Sequence, residues 1–560
     1  MDRGHWMNPG SGGTLARVLI VVLLVRLAIA VLLPFTGDEA YYYFWGLHPA
    51  LAYYDHPPMV GWLLAPWVSI GMAPWWLRLP ALLALIPVAW TVRALAWDAG
   101  EQKANLAAIC VLLAPVDAFN VLTTTDTPLV VFSLCSLLSY HKGVRQVVAG
   151  GAAINRWHAL AGLLLGAAFL SKYFAVLLGL SFVVFALTSP RRDRVMPGFL
   201  IVLACALPWG LFNAWANYEH CWLNILFNFE SRHDNVRLSP ASLGLYLASV
   251  VYLTSPVVLW QFARLVLRRQ LPNAAGQAPA APAGVSGDAT LAASGGGANG
   301  SRTLWATAPR RLVLLAFVVP LLCFLLVALV RRVGLHWPLA FAPLAFVLAA
   351  YVLSTQALRS NARFLAVFSG AHLLAFALIG ALPIETWRNL NIYDGLVLTD
   401  KPDEVLDALQ GWRGRYVFAT DGYSNSVTLS YQARRRAPGP VADAGELDFL
   451  VFGGGSAHGR QQDQYDDFRT LAGRDILIVR KTAPATDEYE PYFEQIERAQ
   501  FDVRSVRFHV VLGHRFDYAR YQAQVLTQIR DKFYQLPAWL PAGRCFFCER
   551  YFSAPTATIQ

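Results

Sequence analysis

An all-α polytopic membrane bundle carrying a soluble α/β domain at its C-terminal end is the fold class this sequence predicts. Three observations predict it. The 560 residues are 56% hydrophobic and only 15% charged, against roughly 25% charged in soluble domains. Apolar runs of about 20 residues, the length needed to cross the hydrocarbon, recur through the first two thirds of the chain. From Glu385 onward those runs stop, and short strand-like and amphipathic segments replace them. The expected division is a transmembrane unit over residues 1–384 and an extracytoplasmic α/β domain over 385–560.

About eleven spans follow in order. Leu15–Leu33 is long enough to cross, contains Arg26 and lacks a small-residue cleavage site, so it reads as a span rather than a signal peptide. After the loop Thr36–Pro58 comes a short apolar segment, Gly61–Ile70, with Trp62, Trp67, Trp75 and Trp76 nearby. It reads as interfacial, because Trp prefers the headgroup level. Leu77–Trp97, Ala104–Leu122 and Leu129–Tyr140 are the next spans, the last two joined by the turn Thr123–Pro128. A fifth starts near Trp157 and is interrupted at Ser171-Lys172-Tyr173; apolar sequence then continues to Leu187 as a sixth. Val195–Trp215, Leu243–Leu265, Leu312–Val330, Pro338–Leu353 and Phe364–Leu382 complete the set. Residues 271–302 are Ala, Gly, Pro and Ser with almost no large apolar side chains, the composition of a disordered cytoplasmic linker. In the C-terminal domain, strands are expected at Tyr416–Ala419, Phe449–Phe452, Asp475–Val479 and Val506–Val511, and amphipathic helices at Asp403–Leu409 and Tyr492–Ala499.

A formal charge of +10 would suit nucleic acid, but a membrane protein spends Lys and Arg on orientation, and no nucleic-acid role is expected. Lys103, Lys142, Arg145, Arg156, Arg191, Arg268, Arg310 and Arg359 lie in alternate loops, whereas Thr36–Pro58 and Thr123–Pro128 carry no Lys or Arg. The positive-inside rule then puts the N-terminus in the cytoplasm and those two loops, with the C-terminal domain, outside. In a bacterial inner membrane that side is the periplasm. Arg232, Arg237, Arg331 and Arg332 fall on the outer side against the rule and invite a functional explanation. Of seven cysteines, Cys110, Cys135, Cys205 and Cys323 sit in apolar runs and pack as small hydrophobes. Cys221 has no obvious partner; Cys545 and Cys548 form a lone C-x-x-C, suited to a local disulfide rather than zinc.

The outlying polar groups gather on one face: Asp38, Tyr54, Asp55, His56, Asp126, Lys172, Tyr173, Arg232, His233, Arg331, Arg332 and His336. Carboxylates on one loop with cations on others are what sugar transfer from a lipid phosphate needs. A cation stabilises the departing phosphate while a carboxylate takes the acceptor's proton. Plainer readings stand beside these. Asp38 could cap the helix that follows, and Asp126-Thr127-Pro128 is a good helix start. Asp55-His56 before two prolines could shape a turn, and Lys172 could snorkel at a span end. Arg331 and Arg332 could touch lipid headgroups, and His336 could anchor at the interface. No cofactor is expected; Asp38, Glu39, His56 and Asp126 are the oxygen-rich group where a divalent cation would bind, without a recognisable ligand spacing.

Four motifs carry a resemblance, in matching order over about the first 350 residues: G-D-E-A-Y-Y-Y-F-W with A-Y-Y-D-H-P-P-M, then T-T-T-D-T-P-L, L-S-K-Y and H-W-P-L. The chain resembles the C-type, polyprenyl-phosphate-sugar-dependent glycosyltransferases (GT-C), the group of the protein O-mannosyltransferases, lipid A aminoarabinose transferases and lipopolysaccharide galacturonosyltransferases. The resemblance implies a GT-C-like helical bundle, an outward-facing site, a lipid-linked donor and inversion at the anomeric carbon. It implies Asp38 as catalytic base with Glu39 beside it, and Asp126 as a second acidic residue orienting the acceptor or a cation. Lys172 and Tyr173 would contact the donor phosphate. The C-terminal domain does not clearly match the better-known members. The expected function is sugar transfer from a polyprenyl-phosphate donor to lipid A, lipopolysaccharide or another envelope glycan. Protein O-glycosylation with the same donor and a lipid or sugar transporter are the alternatives. A transporter would show inverted repeats and mid-bilayer breaks, and no repeat is seen.

Overall fold

The computed structural model describes residues 12–228, 238–267, 307–437, 448–453 and 461–552. Arg232, His233, Arg237 and the segment 271–302 lie outside the described residues. Within them the apolar runs form helices α1 (Gly12–Leu32), α2 (Gly37–Leu47), α3 (Met59–Val68), α4 (Leu79–Leu95), α5 (Glu101–Leu113) and α6 (Asp126–Val148). Then come α7 (Arg156–Ser171), α8 (Ala175–Thr188), α9 (Arg192–Glu219), the single turn α10 (Leu223–Leu226), α11 (Pro240–Thr254) and α12 (Pro256–Leu267). The bundle ends with α13 (Ala308–Ala328), α14 (Leu344–Val352) and α15 (Thr355–Ala381).

Among the described residues, five helical segments can cross a bilayer by length and composition: α1, Pro74–Ala99 around α4, α9, α13 and α15. The pair α11–α12 makes a sixth if counted as one span, bent by 95°. The eleven runs read from the sequence include several that the chain breaks. Ala104–Leu122 divides at Ala114-Pro115, and Leu243–Leu265 divides at Ser255-Pro256. In both cases a proline, lacking an N–H, starts the next helix. The interruption at Ser171-Lys172-Tyr173 lies between α7 and α8 as the sequence indicates. Arg26 inside α1 shows what such a break is used for. Its guanidinium donates to the carbonyls of Ala81 at 2.7 Å and Asn120 at 2.6 Å, and to that of Asp117. An intramembrane arginine needs partners of this kind.

The bundle has two chemically distinct ends. Asp126 opens α6 and Arg145 lies in its last turn, about 28 Å away at 1.5 Å per residue. At the Arg145 end, Asp98 accepts from Arg145 (3.1 Å), Arg310 donates to the Asp98 carbonyl (3.2 Å), and Arg311 donates to that of Thr188 (2.7 Å). Lys142 stands 4.5 Å from the Trp157 ring, a cation–π contact. The basic residues of alternate loops thus share one end. Asp126, α2 and the sheet domain occupy the other.

That domain holds helices α16 (Pro402–Leu409), α17 (Tyr423–Arg436) and α18 (Phe546–Phe552) and a five-stranded sheet. Its strands β1 (Val417–Thr420), β2 (Leu450–Val451), β3 (Ile476–Arg480), β4 (Phe493–Val503) and β5 (Val506–Phe516) run in the order β2-β1-β3-β5-β4. β1 is parallel to β2 and β3, and β5 is antiparallel to β3 and β4. The helix expected at Tyr492–Ala499 is corrected: those residues belong almost wholly to β4. Phe493, Ile496 and Val503 mimic a helical period, but β4 is an edge strand whose charged residues face solvent, as edges require. Its turn is Arg504-Ser505, both with positive φ (48° and 67°), the backbone of a two-residue hairpin usually marked by Asn-Gly. No such marker is present. The helix α17 went unread, and it is the element that packs on α2. Tyr431 stacks on Phe35 (4.3 Å) and meets Tyr43 edge-on (5.1 Å), and the Arg434 guanidinium lies 5.4 Å from the Phe44 ring. Cys545 and Cys548 are free thiols, and Cys221 does have a neighbour, Cys545.

Candidate functional site

The site is built outward from the start of α2. Thr36 caps the helix: its hydroxyl accepts from the Glu39 N–H at 3.3 Å, and the Glu39 carboxylate accepts from the Thr36 N–H at 3.1 Å. This reciprocal capping box removes the plainest reading of Asp38, which is not the cap. Asp38 is exposed, and among the described residues its carboxylate has no hydrogen bond or ion pair. Protein crowding around it raises its carboxyl above the ordinary aspartate range. The Asp55 charge adds to that rise, His56 opposes it, and Glu39 contributes further.

Glu39 has the opposite fate. Both oxygens are held by Arg78, with Nε at 2.7 Å from Oε1 and Nη2 at 2.7 Å from Oε2, and the two side chains are 1% and 0% exposed. Arg78 also donates to the carbonyls of Ala30, Leu33 and Pro34, each at 2.8 Å. One buried arginine therefore joins the last turn of α1 to the first of α2. Thr123 adds the next turn at this end of the bundle, its hydroxyl donating to the Leu77 carbonyl at 2.8 Å. Three residues on, Asp126 receives Lys172 Nζ on both oxygens, at 2.7 and 2.9 Å, with both side chains buried. Lys172 sits at the break between α7 and α8 in extended backbone (φ −165°, ψ 140°).

Tyr42 reports how these groups converge. It is buried one helical turn from Asp38, and its phenol, shifted upward first by burial, lies in the fields of Asp55, Asp38 and Asp126 and bonds with Thr125. Three carboxylates thus act on one hydroxyl. Asp55 is 3.2 Å from His56 Nδ1, and its Oδ1 is buried without a hydrogen-bond partner among the described residues. Its segment is clamped from two sides. Asn224 donates to the Tyr53 carbonyl (3.1 Å) and Asn228 to that of Asp55 (3.2 Å), while the Tyr54 N–H donates to Gln461 of the sheet domain (2.6 Å). The Tyr54 ring is buried against Phe227. Tyr53 stacks flat on Trp45 at 4.1 Å and donates to the Trp45 carbonyl at 2.8 Å. Gly61 leaves room for it: a Cβ there would lie 2.0 Å from the Tyr53 hydroxyl oxygen. Gly61→Ala is therefore expected to cost about 1–3 kcal/mol by overpacking, read as a lower thermal midpoint in detergent, with the Asp55 segment displaced.

Of the remaining described residues singled out above, Tyr173 adjoins Lys172, and Arg331, Arg332 and His336 lie on a turn that reaches it through Trp337. The Tyr173 hydroxyl donates to Asn213 on α9 at 3.0 Å. Arg331 is half-buried, and Arg332 and His336 are exposed, in the turn after α13. The adjacent Trp337 packs on Phe174 at 4.9 Å, and Lys172 Nζ lies 5.3 Å from that Phe174 ring. An apolar groove of about 390 Å³ between α7, α8 and α9 begins at Phe169 and Ala175, either side of Lys172, and runs along Val183 and Leu203. The sheet domain adds Tyr423, 5.2 Å from Tyr41, with its phenol near Asp38 and Asp55. Arg78, Tyr42, Gln461 and Tyr423 were missed from the sequence; only Arg78 carried a signal, as a lone charge between Trp75-Trp76-Leu77 and an apolar run. Glu39 and Asp126 are committed to Arg78 and Lys172, and among the described residues no group of three His, Cys, Asp or Glu side chains is placed to hold a metal.

Comparison with known proteins agrees with the motifs. Residues 55–213 match the family described as dolichyl-phosphate-mannose-protein mannosyltransferase. A lipid A galacturonosyltransferase, RgtD of Rhizobium johnstonii, is 29% identical over 223 residues, 38% of this chain and 45% of that protein. The chain thus spans about half the length of that curated relative. The fold matches ArnT of Cupriavidus metallidurans, solved bound to undecaprenyl phosphate, with a TM-score of 0.55, 15% identity, and coverage of 90% of this chain and 98% of that one. The resemblance to the C-type glycosyltransferases is borne out.

Proposed function

We propose that this chain, with the fold and sequence signature of the membrane-embedded C-type glycosyltransferases, moves one sugar from a polyprenyl-phosphate carrier to an envelope acceptor. The acceptor is lipid A, lipopolysaccharide or another glycan, and transfer takes place on the periplasmic side of a bacterial inner membrane. The observation that carries this reading is an unengaged, raised carboxylate, Asp38, that shares the field at Tyr42 with Asp126, the carboxylate that holds the buried cation Lys172. The acceptor hydroxyl oxygen attacks the anomeric carbon, and its proton passes to Asp38. The bond from that carbon to the phosphate oxygen breaks, and the electron pair leaves on the phosphate, which Lys172 stabilises. Arg331, Arg332 and His336, on the neighbouring turn, extend the phosphate site, as would Arg232 and His233. Attack opposite the departing phosphate inverts the sugar. The groove beside Lys172 suits the carrier's apolar chain, as ArnT is solved with undecaprenyl phosphate. The RgtD likeness favours a lipid A acceptor over a protein one. In this reading Glu39 positions the loop and does not touch substrate, no cofactor is required, and the eleven apolar runs cross or enter the membrane.

The test is transfer by purified protein from a radiolabelled polyprenyl-phosphate sugar to lipid A, with and without EDTA. Label on lipid A at an EDTA-insensitive rate is expected; no transfer from any such donor to any envelope acceptor would overturn the reading. Lys172→Met is expected to lower turnover by about 10²–10³-fold, the scale of losing one charge-stabilising group. It also strands Asp126, so the pair Lys172→Met with Asp126→Asn should regain thermal stability without regaining transfer. Tyr423→Phe should raise the acceptor KM several-fold, for one hydrogen bond of about 1 kcal/mol, and leave the donor KM unchanged.

A further inference from the structure

After α9 the chain turns through two consecutive left-handed residues, Cys221 (φ 58°) and Trp222 (φ 54°). Neither is glycine, so the surroundings must hold this backbone in place. The C-terminal segment does so. The Cys221 N–H donates to the Arg544 carbonyl at 2.8 Å, Arg544 N–H to that of Tyr218 at 2.9 Å, and the Trp222 indole to that of Pro541 at 2.9 Å. At Gly543 the two segments approach so closely that a Cβ would lie 2.5 Å from the Tyr218 carbonyl oxygen. This stitching brings the buried Cys221 thiol against that of Cys545, which also meets Cys548 from the first turn of α18. All three belong to one apolar cluster with Tyr54 and Phe227.

We propose that Cys221 and Cys545 form a disulfide that ties the end of α9 to the C-terminal helix, with Cys548 as the exchange partner. Two thiols lose two protons and two electrons to an external disulfide, protein-borne or low-molecular-weight, which is reduced to two thiols. The two pairings open to Cys545 are unequal. A bridge to Cys548 closes a loop of a few residues, whereas one to Cys221 closes more than 300 and restricts the unfolded chain far more. The attacking thiol in any exchange is Cys548, which contact with Cys545 and burial both push up, so little thiolate forms at neutral pH and a bridge made during folding exchanges slowly. The bridge would also bear on the acidic loop. α10 follows Cys221-Trp222 at once, and its Asn224, with Asn228 beyond, holds the Tyr53 and Asp55 carbonyls.

Formation in the cell rests on the outward orientation proposed above, and the experiment separates the two. Full-length protein is trapped in intact cells with N-ethylmaleimide, or purified and treated with oxidised glutathione, then digested without reductant and analysed by mass spectrometry. A peptide joining Cys221 to the Cys545 segment is expected in both samples, kept in Cys548→Ser and lost in Cys545→Ser. Backbone amides of residues 53–56 should exchange hydrogen faster once the wild type is reduced, and equally in both states in Cys221→Ser. A cross-link made by glutathione but never in cells supports the pairing and counts against the orientation. Cys221 fully alkylated in every sample, or bridging confined to Cys545 and Cys548, overturns the proposal.

Discussion

Asp38→Asn is expected to lower transfer by about 10²–10⁴-fold, the usual contribution of a positioned general base, with no measurable loss of stability. Stability should hold because the substitution keeps shape and volume at an exposed position. The capping work at this helix start belongs to Thr36 and Glu39, and no described residue depends on the Asp38 carboxylate. The pH profile gives a second readout. Only the ionised carboxylate accepts a proton, so the rate falls as pH falls through the Asp38 pKa. Crowding and the Asp55 charge raise that pKa, placing the acidic limb above the value of about 3.9 for an ordinary aspartate. Asp55→Asn removes one raising charge and should move the limb to lower pH, while Asp38→Asn removes the limb with the activity. Transfer undiminished in Asp38→Asn would assign the base to another group, with Asp55 next in line.

How much of this is legible in the sequence depends on the kind of signal. Lys172 stood out because a lysine and a polar pair interrupt an apolar run, and the membrane makes such an interruption costly. Asp38, Asp55 and Asp126 stood out because they occupy loops without a compensating cation. The partner of Lys172 did not, since Asp126 lies 46 residues away and nothing local encodes the pairing. Arg78 lies within an apolar run, where a buried arginine needs a carboxylate, but nothing local marks Glu39, 39 residues away, as that partner. The sheet domain was legible where strands were short and apolar, and failed at β4, whose charged edge imitates a helix. Its role at the site was illegible altogether. Tyr423 and Gln461 reach α2 and Tyr54 across some 400 residues, through packing that no periodicity records. The ends of the helices within the apolar runs were illegible for a related reason: hydropathy counts apolar residues, whereas Pro115 and Pro256 decide where helices stop.

Arg78→Met is expected to be the most destabilising single change at this end of the bundle, by about 3–5 kcal/mol, the cost of leaving one member of a buried ion pair uncompensated. The Glu39 carboxylate would remain 1% exposed with no cation, and three carbonyls at the end of α1 would lose their donor. Glu39→Gln should cost less than Arg78→Met. Its amide oxygen keeps one hydrogen bond to the guanidinium, and Arg78 retains its carbonyl partners. The double change Glu39→Gln with Arg78→Met removes both charges, and its loss should fall short of the sum of the two singles, an interaction measurable by a double-mutant cycle in thermal or denaturant unfolding. Activity then separates positioning from chemistry. If Glu39 only holds the start of α2, Glu39→Gln lowers transfer in step with the disorder it introduces, and leaves the acidic limb of the pH profile at the Asp38 value. A loss in Glu39→Gln as deep as in Asp38→Asn, at unchanged thermal midpoint, would instead place Glu39 in the proton transfer. The geometry predicts the former, because the Glu39 carboxylate is 1% exposed and its oxygens already accept from Arg78, from the Thr36 N–H and hydroxyl and from the Thr123 N–H, which leaves no open approach for the acceptor's proton.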